Sequence, residues 1–548
     1  MMSEGNRKEI DTTITTTFAW DGEKKDLCTD PNAQQACLLA FDDPVFAVRQ
    51  GGAIQLTNTG RLVDTFHTDT EGMELLGHLS PIRAADFGDA AFCATYGVKA
   101  AYYAGGMANA IASEKMVLAL ANGGFMGSFG SGGLSLERVR DAVETIRSQV
   151  PGGQYLFNLL HNPFDPEMEQ RTVELYLEQE VHAVEAAAFI RLTPAIVQYR
   201  ASGLSRDPSG NILIKNHVIA KISRREIALL FLNPAPDAIL TQLTGEGKIT
   251  AEQAELARQV PMADDIAVEA DSGGHTDNQA LVVLLPSIIA LRDRTQTHNN
   301  FKQPVRIGAG GGIGTPESML AAFMMGAAFV VTGSVNQACI ESGACEHTRK
   351  LLADADMADV CMAPSADMFE LGARVQVLKK GSLFPMRAQK LYDLYMSCKS
   401  IEEIPPAVRN ELETRFFKKD MDEIWQETKV FFEKRNPQQI DHAEKDPRKK
   451  MALVFRWYLG QSSRWSRDGV EDRRMDYQIW CGPSIGGFNE WTKGTYLEEY
   501  TNREVADVAW QMLRGCQYAY RVLALKMQGV ILPPEVNRYS PKPMEKNR

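Results

Sequence analysis

The feature that constrains this chain most is a glycine-rich segment near its middle, residues 266–334. Two short apolar runs in it, 266–270 and 305–307, are each followed closely by glycine. Buried parallel strands end in this way when their carboxyl ends meet a ligand. We therefore predict two neighbouring strand ends of one parallel sheet.

Three consecutive glycines follow the second run: Gly310, Gly311 and Gly312. Without Cβ atoms, this backbone can take positive φ and bring its N–H groups close to an anion at a helix N-terminus. Thr315 and Pro316 are typical of the start of that helix. A third run, 328–332, leads into Gly333 and Ser334. We predict a phosphate between the second and third strand ends, as in barrels of alternating strands and helices.

Other phosphate-binding motifs do not fit the spacing. A Rossmann fingerprint needs glycine at the sixth position, where the chain has Ile313 counted from Gly308 and Thr315 counted from Gly310. A P-loop needs a lysine after its last glycine, and none follows here. A simple tight turn is the remaining alternative, and it is weakened because two neighbouring strand ends show the same chemistry.

Eight strand-like runs indicate the fold class. Most are spaced as in strand–helix units. They are 100–104, 124–128, 155–160, 181–190, 218–222 and the three runs described above. A longer interval, with a helical hairpin insertion predicted at 234–264, contains Thr250 and Gln253 at capping-box spacing. The pattern favours an α/β fold, a (β/α)8 TIM barrel with its active site at the carboxyl ends of the strands.

The remaining chain divides into two flanking regions. Residues 1–78 are predicted as an N-terminal extension with short strands between residues 36 and 58, and the barrel as 79–345. Residues 346–548 are predicted to be mostly helical, with an exposed linker at 438–450 and a final helix at 502–527. Five tryptophans favour a packed core over a ligand cradle there. They are Trp457, Trp465, Trp480, Trp491 and Trp510.

Composition excludes several classes of protein. The 548 residues are 44% hydrophobic and carry a net charge of −11, which argues against general nucleic-acid binding. The nine cysteines include no C-x-x-C pair, so neither a disulfide framework nor a metal site is indicated. The first 20 residues lack the apolar core of a signal peptide, and no run of 18 apolar residues occurs. We expect a cytoplasmic protein without a membrane span.

Several motifs together resemble the PfaD family of flavin-dependent enoyl reductases of polyunsaturated fatty acid and polyketide synthases. They are AGGMANAIAS, FNLLHNP, EADSGGHTDN, GAGGGIGTPESMLAAFMMGAAFVVTGSVNQ, MALVFRWYLGQSSRW and MDYQIWCGPSIGGFNEW. The barrel motifs alone are similar to a wider group that includes nitronate monooxygenases. The tryptophan-rich motifs point to the narrower family, and the resemblance covers about residues 40 to 535.

The resemblance implies an FMN at the top of the barrel. The residues along the flavin ring would be Gly105, Gly106, Met107, Ser272, Gly273 and Gly274. Those at its polar edge would be Asn158 and Lys221, and those at its phosphate Gly310, Gly311, Gly312, Gly333 and Ser334. A cation beside the ring stabilises a reduced, anionic flavin, so Lys221 also fits on physical grounds. The alternative for Lys221 is an exposed lysine at a strand end.

His275 matches the histidine that follows paired glycines in this superfamily. In the reductase reading, NADPH reduces FMN, hydride passes to the β-carbon of an enoyl thioester, and the α-carbon needs a proton. Histidine can donate that proton near neutrality. Water could equally be the donor, with His275 polarising the thioester carbonyl. Either Asp271 or Asp277 could orient the imidazole, or both could cap loops.

Two other functions remain open at this point. One is a nitronate monooxygenase-like flavin oxidase, and the other is a catalytically silent, flavin-binding synthase subunit. The resemblance implies acyl carrier protein domains as partners, NADPH as the reductant and a homo-oligomer. A basic stretch in this acidic chain could steer an acidic carrier, or it could be a solvated helix face. Its residues are Arg374, Lys379, Lys380, Arg387 and Lys390.

Overall fold

The computed structural model describes residues 18–64, 73–161, 163, 165–433 and 436–544, which form two compact units. The first unit contains the described residues up to Ala84 together with Arg514–Tyr539. The second contains Ala85–Leu513 and the described residues from Ser540 onward. The domain boundaries predicted after residues 78 and 345 stay predictions.

The first unit is built on a five-stranded sheet. In spatial order its strands are Ala53–Thr57, Val45–Gln50, Met73–Leu79, Phe18–Asp21 and Arg61–Asp64. Gly51 and Gly52, both with positive φ, make the hairpin turn between the second and third strands along the chain. The prediction of strands from residue 36 was wrong at its start, because Asp30 caps a helix at Pro31–Leu39. The later part of the helix Val505–Met527 also belongs to this unit.

The second unit contains a closed barrel of eight parallel strands, which confirms the predicted fold class. The strands pair in sequence order, and the last pairs with the first. We number them β1 (Tyr102–Ala104), β2 (Met126–Phe129), β3 (Tyr155–Leu160), β4 (Ala183–Ala187), β5 (His217–Ile222), β6 (Asp265–Glu269), β7 (Arg306–Gly310) and β8 (Val330–Thr332). Each corresponds to one of the eight predicted runs.

Helices follow the strands around the barrel. After β1 to β8 in turn they are Glu114–Asn122, Leu136–Gln149, Pro166–Glu178, Pro194–Ser202, Arg225–Leu232, Leu281–Asn299, Pro316–Met324 and Ser334–Gln337. Side-chain caps begin several of them, and Thr315 caps the helix that starts at Pro316, as predicted. Thr315 also forms a capping box with Ser318, which was not predicted. The predicted insertion contains two helices, Asp237–Gly245 and Ala251–Ala257, the second with the predicted box of Thr250 and Gln253.

The amino ends of the strands hold a structural network opposite the glycine-rich ends. Asp265 begins β6, is fully buried, and accepts hydrogen bonds from Tyr96 Oη at 2.5 Å and from Arg306 Nε at 2.6 Å. Arg306 begins β7, so its guanidinium connects two neighbouring strands. This network fixes the bottom of the barrel.

The region after the barrel has a small sheet and many helices. The strands Gly274–His275, Arg374–Leu378 and Val360–Pro364 form a three-stranded antiparallel sheet. The α-helices are Glu346–Ala353, Phe384–Ser397, Pro406–Glu411, Met421–Glu433, Gln438–Lys445, Pro447–Asp468, Ser484–Thr492 and the start of Val505–Met527. Among the described residues, no helix is both long and apolar enough to cross a membrane.

Two predictions for this region have clear outcomes. The predicted linker at 438–450 was wrong, since the segment is helical on both sides of Asp446, which caps the helix Pro447–Asp468. Its polar composition arises because only Ala443 of the preceding short helix is buried. The packed tryptophan core is confirmed for three of the five residues, since Trp457, Trp465 and Trp480 pack against a cluster that includes Phe384, Phe455 and Tyr458. Trp491 and Trp510 pack elsewhere, against Phe488 and Phe125.

Candidate active site

A lysine and two carboxylates lie on three neighbouring barrel strands. Lys221 on β5 places its Nζ 3.2 Å from Glu269 Oε1 at the end of β6, and both side chains are about four-fifths buried. Burial alone would lower the pKa of Lys221, but the charges of Glu269 and Glu185 raise it above its ordinary value. Lys221 is therefore a stable cation and not an exposed strand-end lysine.

Glu185 on β4 holds the backbone at the end of β1. It is fully buried and accepts a hydrogen bond from Gly106 N at 2.7 Å and one from Tyr103 Oη at 3.2 Å. Asn158 on β3 is also buried, and its Nδ2 donates to the Glu185 carbonyl at 3.1 Å. Gly106, just after β1, is thus held by a carboxylate that reaches it from β4, a strand that does not pair with β1.

A buried hydroxyl near this segment has no partner among the described residues. Ser128 Oγ on β2 is fully buried and makes no hydrogen bond with any of them. A Cβ built on Gly106 would stand 3.1 Å from it. A hydroxyl left unpaired inside a barrel is costly, so this position fits a bound polar group.

The predicted flavin site has open space beside three glycines, two predicted at the phosphate and one along the ring. A Cβ built on Gly312 or Gly333 would meet no atom within 4 Å, and one on Gly274 would meet only Trp480, at 3.9 Å. Gly311 and Gly312 have positive φ, as predicted for a backbone that turns around an anion, whereas Gly310 is the last residue of β7. Gly274 also has positive φ. These glycines leave space of the kind that a phosphate and a flat ring need, so the residues fit a bound flavin nucleotide.

Gly273 and Gly314 allow another part of the backbone to pack closely against them, and the sequence analysis did not predict this contact. Cβ atoms on Gly273 and Gly314 would collide with the backbone of Cys481 and Ser484. Gly482 N also donates to Ser334 Oγ at 2.9 Å. The segment 481–484, from the tryptophan-rich motif, therefore lies against the glycine-rich strand ends. The motif CGPSIGG is the signal that could have indicated this contact.

His275 is held by a residue far away in the sequence. Its Nε2 lies 3.0 Å from Asp367 Oδ1, and the two side chains are 49% and 58% exposed. Ser365 Oγ donates to the same carboxylate oxygen. Burial alone would lower the pKa of His275, but the hydrogen bond and charge of Asp367 raise it above its ordinary value. The same pairing holds the pKa of Asp367 below its usual range, against the effect of burial.

The two aspartates proposed to orient His275 bind other residues. The prediction that Asp271 or Asp277 orients the imidazole was therefore wrong. Asp277 accepts hydrogen bonds from Ser223 and Arg224. Asp271 accepts from Asn278 and Gln376 at 3.0 and 2.7 Å. Both hold loops, which was the other reading of these residues.

Most of the basic stretch is already paired with acceptors. Lys380, Arg387 and Lys390 form ion pairs with Asp359, Asp476 and Glu411, in that order. Arg374 donates to the Met362 carbonyl and to Gln389. Lys379 is exposed, and no ion pair of it is found among the described residues.

Two family models match parts of the chain. A model described as the fatty acid synthase subunit PfaD N-terminal domain matches residues 20–81. A model described as the inserted helical domain of [acyl-carrier-protein] S-malonyltransferase matches residues 398–477. The residues matched by the second model follow the barrel in the chain and are mostly helical.

Comparisons with whole proteins cover most of the chain. It is 49% identical over 497 residues to a polyunsaturated fatty acid synthase protein of Thraustochytrium sp., covering 89% of this chain and 32% of that protein. It is 45% identical over 433 residues to polyketide biosynthesis protein PksE of Bacillus subtilis, covering 79% of this chain and 56% of that protein. The chain thus spans only about a third to a half of these curated relatives.

A solved structure has the same architecture. The enoyl reductase domain of MlnA, from the macrolactin biosynthesis cluster of Bacillus amyloliquefaciens, is 36% identical and superposes with a TM-score of 0.77. The alignment covers 82% of this chain and 100% of that domain. The similarity therefore extends well beyond the barrel motifs.

Proposed function

The chain belongs to the PfaD family, and from that premise we propose that it is an FMN-dependent enoyl reductase that uses NADPH. It would act in trans on enoyl thioesters carried by acyl carrier protein domains of a polyunsaturated fatty acid or polyketide synthase. Its relatives are named as parts of such biosynthetic systems and as an enoyl reductase domain, which supports an oxidoreductase. One observation carries the finer proposal: the open glycine positions Gly274, Gly312 and Gly333 follow three successive barrel strands, β6, β7 and β8. His275 follows Gly274 directly, and Asp367 holds it from beyond the barrel.

The cofactor would be held by residues of four loops. Gly310, Gly311, Gly312, Gly333 and Ser334 would bind the phosphate, and Gly105, Gly106, Met107, Ser272, Gly273 and Gly274 would lie along the ring. When bound, FMN supplies hydride transfer from NADPH to the β-carbon of the enoyl group. Asn158 and Lys221 would contact the polar edge of the ring, where Lys221 supplies a fixed positive charge.

His275 would complete the reaction by giving a proton to the α-carbon. Its Nε2 is engaged by Asp367, and its Nδ1 has no partner among the described residues, so Nδ1 is the atom left for the substrate. Asp367 keeps the imidazole protonated at higher pH than usual and fixes its orientation. The negative charge of Asp367 also balances the imidazolium before the proton is donated.

The test is an anaerobic absorbance experiment on the purified, flavin-loaded protein. We expect NADPH to bleach the flavin bands and crotonyl-CoA to restore them without oxygen. Recovery only after air is admitted would favour the nitronate monooxygenase-like oxidase. Stable flavin that neither NADPH nor the thioester changes would favour the silent synthase subunit, and a protein that binds no flavin would contradict the proposal.

A further inference from the structure

A cavity of about 540 Å³ lies beside the His275–Asp367 pair. Asp367 is one of its lining residues, and Asp165, which caps the helix after β3, is another. The other walls come from the helices Phe384–Ser397, Met421–Glu433, Gln438–Lys445 and Pro447–Asp468. The cavity therefore extends from Asp367, the partner of the candidate catalytic histidine, into the helical region.

The walls of the cavity are largely apolar and partly exposed. Met368, Leu371, Tyr395, Phe431 and Phe432 contribute to its lining. Leu371 is 73% exposed and Phe431 is 37% exposed, although both are large hydrophobic residues. Apolar side chains left open around a cavity are typical of a ligand-binding site.

Most charges in the cavity neutralise one another. Glu370 pairs with Lys449 at 2.5 Å and with Arg456 at 3.3 Å. Asp446 caps the helix that begins at Pro447. The wall therefore offers little net charge for binding a free anion.

Two buried polar atoms on the walls have no partner among the described residues. One is the acceptor Gln439 Oε1 and the other is the donor Arg448 Nε. Arg448 lies over the Tyr395 ring at 4.5 Å, and its Nη2 donates to the Tyr395 carbonyl at 3.3 Å, so its guanidinium is fixed. A ligand with one N–H donor and one carbonyl acceptor, in an otherwise apolar chain, would satisfy both atoms.

We propose that this cavity binds the pantetheine arm of the substrate thioester, with the thioester next to the His275–Asp367 pair. Pantetheine is a narrow chain whose secondary amides each carry one N–H and one carbonyl. An amide of the arm donates to Gln439 Oε1 and accepts from Arg448 Nε, while its methylene groups contact Leu371 and Phe431. The inference rests on the proposed function, and it assigns thioester recognition to the helical region.

The test compares two thioesters of the same enoyl group. Crotonyl-pantetheine carries the amides, and S-ethyl thiocrotonate lacks them. We expect Gln439→Leu and Arg448→Met each to raise KM for crotonyl-pantetheine roughly tenfold, the value of one lost hydrogen bond. The value of kcat and the KM for S-ethyl thiocrotonate should change less than about twofold, because neither depends on the amide contact.

Matched controls separate the cavity from general effects. Gln438 is the exposed neighbour of Gln439, and Arg415 is an exposed arginine outside the cavity. Gln438→Leu and Arg415→Met should leave both KM values unchanged. An unchanged KM for crotonyl-pantetheine in both cavity variants, or equal increases for the two thioesters, would overturn the inference. Thermal unfolding shows whether each variant folds. If Arg448→Met does not fold, the KM values of the milder variant Gln439→Leu decide the test.

A binding measurement distinguishes this inference from the proposed function. Calorimetry with butyryl-pantetheine, a saturated thioester, needs no turnover. Binding that weakens about tenfold in the two cavity variants supports the inference even if wild-type protein reduces no enoyl thioester. Turnover with unchanged binding in both variants overturns the inference and leaves the proposed function intact. Coenzyme A and carrier proteins both carry a pantetheine arm. Comparing KM for crotonyl-CoA with KM for a crotonyl carrier protein identifies which of the two presents the arm to this cavity.

Discussion

At the scale of single residues, the contact between His275 and Asp367 determines how the site responds to pH. His275 also faces the charges of Glu269, which raises its pKa, and Lys221, which lowers it. Because the pKa of His275 is raised, its protonated form persists to higher pH and is lost as pH rises through that pKa. A reaction that needs the protonated imidazole therefore declines on the alkaline side.

Replacing Asp367 tests this relation. In Asp367→Asn the pKa of His275 should fall, and the alkaline limb of the kcat/KM profile should move to lower pH. Asp277→Asn is the matched control, since Asp277 lies near His275 in sequence but contacts Ser223 and Arg224. A limb that stays in place in Asp367→Asn, or moves equally in both variants, would contradict the role of Asp367.

Glu185 should affect stability as well as function. Glu185→Ala leaves Gly106 N and Tyr103 Oη without their acceptor inside the barrel. We expect the free energy of unfolding to fall by roughly 2–4 kcal/mol, with a smaller loss in Glu185→Gln, which retains an acceptor. Urea unfolding followed by tryptophan fluorescence measures the difference. Equal stability of Glu185→Ala and wild type would mean that water replaces the carboxylate at no cost.

Residues of the candidate site differ in how well their positions in the site can be predicted from the sequence. Gly312 and Gly333 stand at glycine-rich strand ends and were predicted from strand spacing, whereas His275 was predicted from the family resemblance. Glu185 interrupts an apolar run, and that charge is a signal which could have been used. Asp367 follows His275 by 92 residues in an ordinary loop sequence, so nothing local indicates their contact.

At the scale of elements, the turn after β8 offers a test of the phosphate cradle. Gly333 has a φ of −129°, and a Cβ there would meet no protein atom within 4 Å. Gly333→Ala should therefore leave the stability of the apoprotein unchanged while its methyl group occupies space proposed for the phosphate. We expect FMN affinity to fall by roughly tenfold or more, measured by fluorescence titration of the apoprotein.

Gly460 provides the matched control for this substitution. It lies inside the helix Pro447–Asp468, and a Cβ there would also meet no atom within 4 Å. Gly460→Ala should stabilise the helix by about 1 kcal/mol and leave FMN affinity unchanged. Equal FMN affinity in wild type and Gly333→Ala would remove Gly333 from the phosphate site.

The elements themselves were predictable where periodicity and capping agree. All eight barrel strands lie in apolar runs, and the helices at Ala251 and Pro316 begin at predicted caps. The segment 438–450 was mistaken for a linker because its composition is polar, and only Ala443 of the helix Gln438–Lys445 is buried.

At the scale of the whole molecule, the basic stretch remains a candidate for carrier docking. Lys380 has an ion-pair partner in Asp359, whereas no such partner of Lys379 is found in the described part of the chain. Charge reversal of both lysines should raise KM for a carrier-bound enoyl substrate severalfold and leave KM for crotonyl-pantetheine unchanged. The difference should shrink at high salt. Equal effects on the two substrates would exclude docking at these lysines.

The contacts between the barrel and the region that follows it were the least predictable property of the chain. Strand spacing indicated the barrel, but the contacts of Gly482 with Ser334 and of Asp367 with His275 depend on tertiary packing. Long-range contacts of this kind leave no periodic pattern in one sequence. The motif WCGPSIGG was used only as a sign of the family, although its glycines could have indicated where it packs.

The distance in sequence between Ser334 and Gly482 also has a consequence for synthesis on the ribosome. The last strand of the barrel is complete before Gly482, 148 residues after Ser334, has been made. At about 5–20 residues per second, roughly 7–30 s of translation separate the two. During that time the nascent barrel has its glycine loops but lacks the segment that packs on them. Cofactor loading is therefore expected only after the segment around Gly482 has been made.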